Sequence, residues 1–118
     1  MIPWKNLVTD HDLAEAITQS HDGLVLLFKH STSCSISHVA KMRLEEAWSP
    51  IKPVIPYYLD LKTHRSLSNA IADQLSVHHE SPQILILSDG DCIHDASHLD
   101  ISMDEINEVI EHHNAPSQ

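Results

Sequence analysis

A chain of 118 residues and 13.3 kDa has room for one domain, burying roughly two thirds of its unfolded surface, so a single domain is the expectation for it. Its longest apolar run, residues 24–28, falls far short of the about 20 residues a membrane crossing needs, so no membrane partner is expected. Seven Lys and Arg against 17 Asp and Glu give −10, which repels phosphate backbones and excludes nucleic acid as the main partner.

The N-terminal residues Met1-Ile2-Pro3-Trp4 carry no charged, apolar leader, and a cytoplasmic location is the expectation. Thr9 caps a first helix, with Asp12 three residues on and Leu13, Ala14, Ala16 and Ile17 as its apolar stripe; Gly23 ends that segment. Residues 24–29 are short and continuously apolar up to Lys29, which predicts a central strand buried on both faces. After His30-Ser31-Thr32-Ser33, the positions of Ile36, Val39, Ala40, Met42, Leu44 and Ala47 predict a helix to about Trp48, stopped by Ser49-Pro50.

Residues 54–61 read as a second strand, placed at the periphery because Pro56 cannot donate to a ladder. Thr63 is positioned to cap a third helix whose Leu67, Ala70, Ile71 and Leu75 share one face. Residues 83–88 form a third strand, and Asp89-Gly90 turns it into an antiparallel partner through Cys92-Ile93. Ser102 and Glu105 form a capping box for the last helix, with Ile101 and Ile106 as the staple and Met103, Val109 and Ile110 inward. The order α-β-α-β-α-β-β-α implies an α/β domain over residues 1–118: a four-stranded mixed sheet with helices on both faces, the order of a thioredoxin-like core.

Chemistry concentrates at Cys34. From Lys29 to Arg43 the chain has three cations, Lys29, Lys41 and Arg43, and no acid, so this window carries +3 against −13 for the remainder. A thiol at a helix start faces unpaired N–H groups and the positive end of the helix dipole, which favour its thiolate. Three residues on stands Ser37, so Cys34-Ser35-Ile36-Ser37 is a C-x-x-C pattern with a hydroxyl in place of the second thiol. That hydroxyl is placed to hydrogen-bond the thiolate, but the product of attack must be a mixed disulfide resolved by another molecule. Cys92, among Asp89, Asp91 and Asp95, reads as an inert packing residue.

The run from Phe28 to Ser37, then Leu59-Asp60-Leu61, Arg65 with Ser68-Asn69, and above all His79-Glu80-Ser81-Pro82-Gln83, resembles the YtxJ-type monothiol bacilliredoxins, a thioredoxin-like family, over nearly the whole chain. Where that family has Thr-Cys-Pro-Ile-Ser, this chain has Ser33 and Ser35 in place of the Thr and Pro. The resemblance implies a thiol-disulfide oxidoreductase in which Cys34 removes bacillithiol from proteins carrying it as a mixed disulfide. It implies a cis bond before Pro82, with Pro82 and the Ser81 backbone bordering Cys34 and pairing with the incoming thiol substrate. The partners would be S-thiolated proteins and a low-molecular-weight thiol co-substrate, bacillithiol or a similar one, with no tightly bound cofactor. Bacillithiol bears malate carboxylates, and Lys29 and Arg43 are the candidates to receive them.

Plainer readings stand beside these. His30, Cys34 and His38 recur at four-residue steps but lack a fourth ligand, so no metal is expected. His78, His79, His112 and His113 read as surface residues, Lys41 and Arg43 as solvated helix charges, and Trp4, Trp48, Tyr57 and Tyr58 as core or core-edge residues. Two other functions remain open: a glutaredoxin-like monothiol protein using another low-molecular-weight thiol, and a noncatalytic, stress-related interaction module.

Overall fold

The computed structural model describes residues 2–114. In chain order the elements are β1 (Lys5–Asn6), α1 (Asp10–Gln19), β2 (Leu24–His30), α2 (Ser35–Ala47), β3 (Val54–Asp60), α3 (Arg65–Leu75), β4 (Gln83–Ser88), β5 (Asp91–Ser97), a 3₁₀ turn (His98–Asp100) and α4 (Met103–Asn114). They form the expected thioredoxin-like α/β domain with a mixed sheet, but the sheet has five strands, ordered β1-β3-β2-β4-β5. The fifth is the two-residue β1, which pairs Lys5 with Tyr57 and Asn6 with Tyr58. That pairing places β3 inside the sheet rather than at its periphery. Pro56 lies one residue before the stretch β1 covers, so its missing N–H falls where that side of β3 is still open.

β2 is the central strand, parallel to β3 and antiparallel to β4, and all seven of its residues are buried. Successive strand residues point to opposite faces. Leu26 and Phe28 therefore meet Ala40 and Leu44 of α2 and Met103, Ile106 and Ile110 of α4. Val25 and Leu27 meet Leu13 and Ala16 of α1 and Leu67, Ile71 and Leu75 of α3. Among the described residues no helix is long and apolar enough to cross a membrane.

Local signals act as their chemistry dictates, with two exceptions. Thr9 and Asp12 close a reciprocal capping box on α1, and Asp89 and Gly90, both at positive φ, turn β4 into β5. Ser102 Oγ accepts from Glu105 N–H at 3.1 Å, while the Glu105 carboxylate lies 3.4 Å from His94 Nε2. Thr63, in contrast, does not cap α3: His64 occupies that position, and the Thr63 hydroxyl donates to Asp60 at 2.9 Å. In α2 the buried residues are Ser37, Ala40 and Leu44, and Ile36, Val39 and Met42 are exposed. The helix thus turns a serine toward the sheet and an apolar stripe toward solvent.

Candidate functional site

The fully buried β2 ends at His30 and delivers the loop Ser31–Ser33 to the start of α2. Cys34 is the N-cap of that helix, with extended backbone (φ −110°, ψ 122°), and is half-buried. The first intrahelical bond runs from His38 N–H to the Cys34 carbonyl, so the amides of Ser35, Ile36 and Ser37 precede it. No acid lies in the first turn. The dipole and the free amides of such a terminus favour an anion at the cap.

The loop is pinned from the helix it feeds. Cys34 N–H donates to the Ser31 carbonyl at 3.2 Å, Ser31 N–H to Ser37 Oγ at 3.0 Å, and His38 Nε2 to the Thr32 carbonyl at 2.9 Å. Ser37 Oγ also lies 2.6 Å from His30 Nδ1. Both residues are sealed from water, and the His30 ring stacks on Phe28 at 5.9 Å, lies 5.7 Å from Tyr58 and meets His38 edge-on at 4.9 Å. Burial first, then the neighbouring His38 and Lys41, lower the His30 pKa below the usual imidazole value and favour its neutral form. The Ser37 hydroxyl is therefore engaged with His30 and Ser31, not with the Cys34 sulfur.

The Ser81–Pro82 peptide bond is cis. β4 pairs Gln83 with Lys29, so the next step along the antiparallel register sets Pro82 opposite His30, at the end of β2 from which the Cys34 loop departs. Ser81 is half-buried with a shielded Oγ that has no partner among the described residues, Pro82 is buried, and its carbonyl accepts from His98 N–H at 2.9 Å.

The two cations expected to receive carboxylates are elsewhere. Lys29 is fully buried on the opposite face of β2, under α3, where Nζ donates to the Ser68 carbonyl and to His79 Nδ1, each at 3.2 Å. Burial lowers its pKa to about 8. Arg43 is exposed nine residues into α2, about 13 Å along the axis from Cys34, and lines a cavity of about 190 Å³ with Leu99, Met103 and Asp104. Lys41 is paired with Glu45 at 2.8 Å and lies over the Tyr58 ring. The structure thus brings Cys34, Ser37 and the Ser81–Pro82 end of β4 to one end of the sheet, and leaves Lys29 and Arg43 out of that group.

Cys92 lies on β5 and packs into the cluster on the α1/α3 face, whereas α2 covers the other face. Both cysteines are free. Burial, with Asp95 adding to it, raises the Cys92 thiol above its usual value, and Sγ donates to the His94 carbonyl at 3.3 Å.

Two histidines outside the expected site set, His30 and His38, are structural to it, and a third, His79, departs from its expected surface position. His30 and His38 hold the Cys34 loop, and His79 turns inward to Lys29 instead of standing at the surface. The period of β2 is the signal for His30: it shares parity with Leu26 and Phe28, which face α2. Among the described residues no group of three or more His, Cys, Asp or Glu side chains is placed to hold a metal ion.

Comparison with known proteins gives a family and agrees with the fold. The family model for the monothiol bacilliredoxin BrxC matches residues 5–106. A solved structure of a protein with a thioredoxin fold is 28% identical, covering 89% of this chain and 91% of its own, with a TM-score of 0.75. A thioredoxin variant from Halobacterium salinarum (16% identity, 96% and 92% covered, TM-score 0.71) and the thioredoxin of Fasciola hepatica (19%, 93% and 99%, 0.69) share the fold.

Proposed function

This chain belongs to the monothiol bacilliredoxin family, and on that premise we propose that it is a thiol-disulfide oxidoreductase that removes bacillithiol from mixed disulfides on cytoplasmic proteins through Cys34. The observation that carries the reading is the placement of the two thiols. Cys34 caps α2 with Ser37 where a resolving cysteine would stand, and Cys92 packs into the core on the other face of the sheet. Resolution must then come from outside the chain.

The Cys34 thiolate attacks the bacillithiol sulfur of the protein-bound disulfide. A Cys34–bacillithiol disulfide forms, the protein–bacillithiol bond breaks, and its electron pair leaves on the protein thiolate, which takes a proton from solvent. A second thiol, free bacillithiol or one like it, attacks the same bacillithiol sulfur and returns Cys34 as a thiolate, leaving a low-molecular-weight disulfide. The step needs no bound cofactor.

The burial of Lys29 and the remoteness of Arg43 favour a second reading of co-substrate choice: with no cation of the pair beside Cys34, exchange extends to other low-molecular-weight thiols. Incubation with a bacillithiolated and a glutathionylated protein, read by intact mass, tests both. Transfer of bacillithiol to Cys34, lost in Cys34→Ala and kept in Cys92→Ala, is the expected result. Equal behaviour of the two variants would overturn the site, and transfer of glutathione alone would overturn the substrate.

A further inference from the structure

Lys29 reaches both flanks of one peptide bond. Its backbone pairs with Gln83 across the β2–β4 ladder, and its Nζ donates to His79 Nδ1 at 3.2 Å. Those two partners bracket the Ser81–Pro82 peptide, Gln83 one residue after it and His79 two residues before it. Lys29 also stands five residues before Cys34, on the strand that delivers the Cys34 loop. One residue thus ties both flanks of that peptide to the strand from which the loop departs.

The tie is buried and shared by several bonds. Lys29 and Gln83 are sealed from water, and as directly paired strand residues they point to the same face, under α3. There the Ser68 carbonyl takes a second Lys29 proton at 3.2 Å, and Ser68 Oγ lies 3.3 Å from His79 Nδ1. Gln83 Nε2 donates to the His78 carbonyl at 3.0 Å, which closes the segment on itself. From the outer side His98 N–H donates to the Pro82 carbonyl at 2.9 Å, and the Glu80 carboxylate lies 3.5 Å from both His78 Nε2 and His98 Nε2.

Stability alone does not call for a lysine at this place. Burial holds its pKa at about 8, so at neutral pH the amine is charged. A buried charge costs free energy that an apolar side chain of similar length would not. What the lysine adds is direction, because its protons fix where His79 and Ser68 stand. We propose that Lys29 is a positioning residue for the incoming disulfide: through His79 and Gln83 it fixes the Ser81–Pro82 peptide relative to the Cys34 loop, so that a substrate aligned on Ser81 presents its sulfur to Cys34. The inference rests on reading Cys34 as the nucleophile and the Ser81 backbone as the group that pairs with substrate. Loss of the amine is then felt in the alignment of substrate and not in the reactivity of the thiol.

The test uses the full chain in a Cys92→Ala background and a bacillithiolated protein, with single-turnover transfer to Cys34 read by intact mass at neutral pH. Lys29→Met and His79→Leu should each raise the half-saturating substrate concentration by about 3- to 10-fold, as for one hydrogen bond, and leave the limiting rate within about twofold. His79→Asn, whose side-chain oxygen accepts from the place of Nδ1, should keep the parent value. Adding Lys29→Met to His79→Leu should raise it no further. Iodoacetamide alkylation of Cys34, which needs no alignment on Ser81, should run at the parent rate in all four variants. An unchanged half-saturating concentration in Lys29→Met, an additive rise in the double variant, an Asn variant as poor as Leu, or alkylation that slows in step with transfer overturns the proposal. Bacillithiol transfer that Lys29→Met leaves unaltered would sink this inference alone. Where the parent takes only glutathione, the proposed substrate falls and the same series on a glutathionylated protein decides the inference; where it takes neither, both fall.

Discussion

Lys29 Nζ lies 3.2 Å from His79 Nδ1, tying the centre of the sheet to the segment that leads into Pro82 across 50 residues of sequence. Because the lysine can only donate, Nδ1 of His79 accepts and its ring proton sits on Nε2. The Ser68 carbonyl takes a second Lys29 proton, and Ser68 Oγ approaches the same His79 nitrogen at 3.3 Å. Burial, followed by the charges of Lys29 and Arg65, lowers the His79 pKa, so the ring remains an acceptor at neutral pH.

That amine makes stability rise in alkali. Its pKa falls from the ordinary 10.5 to about 8 on folding, so between those values the unfolded chain binds more protons than the folded one. The burial penalty, on the order of 2–3 kcal/mol, is fully present below pH 8 and is relieved as pH rises toward 10.5. Relative to the parent protein, Lys29→Met should therefore lose stability progressively from pH 7.5 to pH 10. Urea unfolding of both proteins across that range checks it; a constant difference would refute it.

Cys92 should be slow to react. Its raised pKa and its bond to the His94 carbonyl predict that the Cys34→Ala variant takes up little iodoacetamide at pH 7.5 until urea unfolds it. Mass spectrometry at intervals gives the answer, and rapid native labelling is the contrary result.

The cap of α1 is worth a measurable amount. Thr9→Ala removes the acceptor of the Asp12 N–H and should cost about 1 kcal/mol, several degrees of Tm. Hydrogen bonds from the Val8 and Thr9 amides hold the Asp12 carboxyl below its ordinary 3.8. The contribution of Asp12 is thus complete at neutral pH and fades as pH falls below about 3.8, so thermal melts of Asp12→Asn and the parent should converge in acid.

The β4–β5 turn requires glycine at one place. Gly90 has φ +83°, and a Cβ there would sit 3.2 and 3.3 Å from His21 ring atoms. Gly90→Ala should lose about 1–2 kcal/mol, seen as a lower urea midpoint with an unchanged slope.

The parts that chain-local chemistry controls were legible before the structure. The apolar run of β2, the Asp89-Gly90 turn and the start of α2 at Cys34 each follow from neighbouring residues. β1 was not, because two residues have no periodicity; it exists through its pairing with Tyr57 and Tyr58 and the bond from Leu7 N–H to the Tyr58 carbonyl. The inward face of α2 is not legible from apolar spacing for a different reason. Counting apolar residues points Ile36, Val39 and Met42 to the core, yet Ser37 goes inside because His30 and Ser31 satisfy its hydroxyl there. The sequence offers Lys29 as a cation for incoming carboxylates, whereas its partners Ser68 and His79 lie 39 and 50 residues away. Long-range partners decide the fate of buried polar groups, and sequence spacing does not reveal them.

The sheet ends on one side in a strand of two exposed residues, Lys5 and Asn6, and on the other in a strand bearing Asp91, Asp95 and a register shift beside it. Unpaired strand margins are templates on which another chain can crystallise into a growing ribbon. Here one margin is too brief to seed such growth and the other is charged and kinked, so the continuous apolar strands at the heart of the sheet are kept from propagating into fibrils.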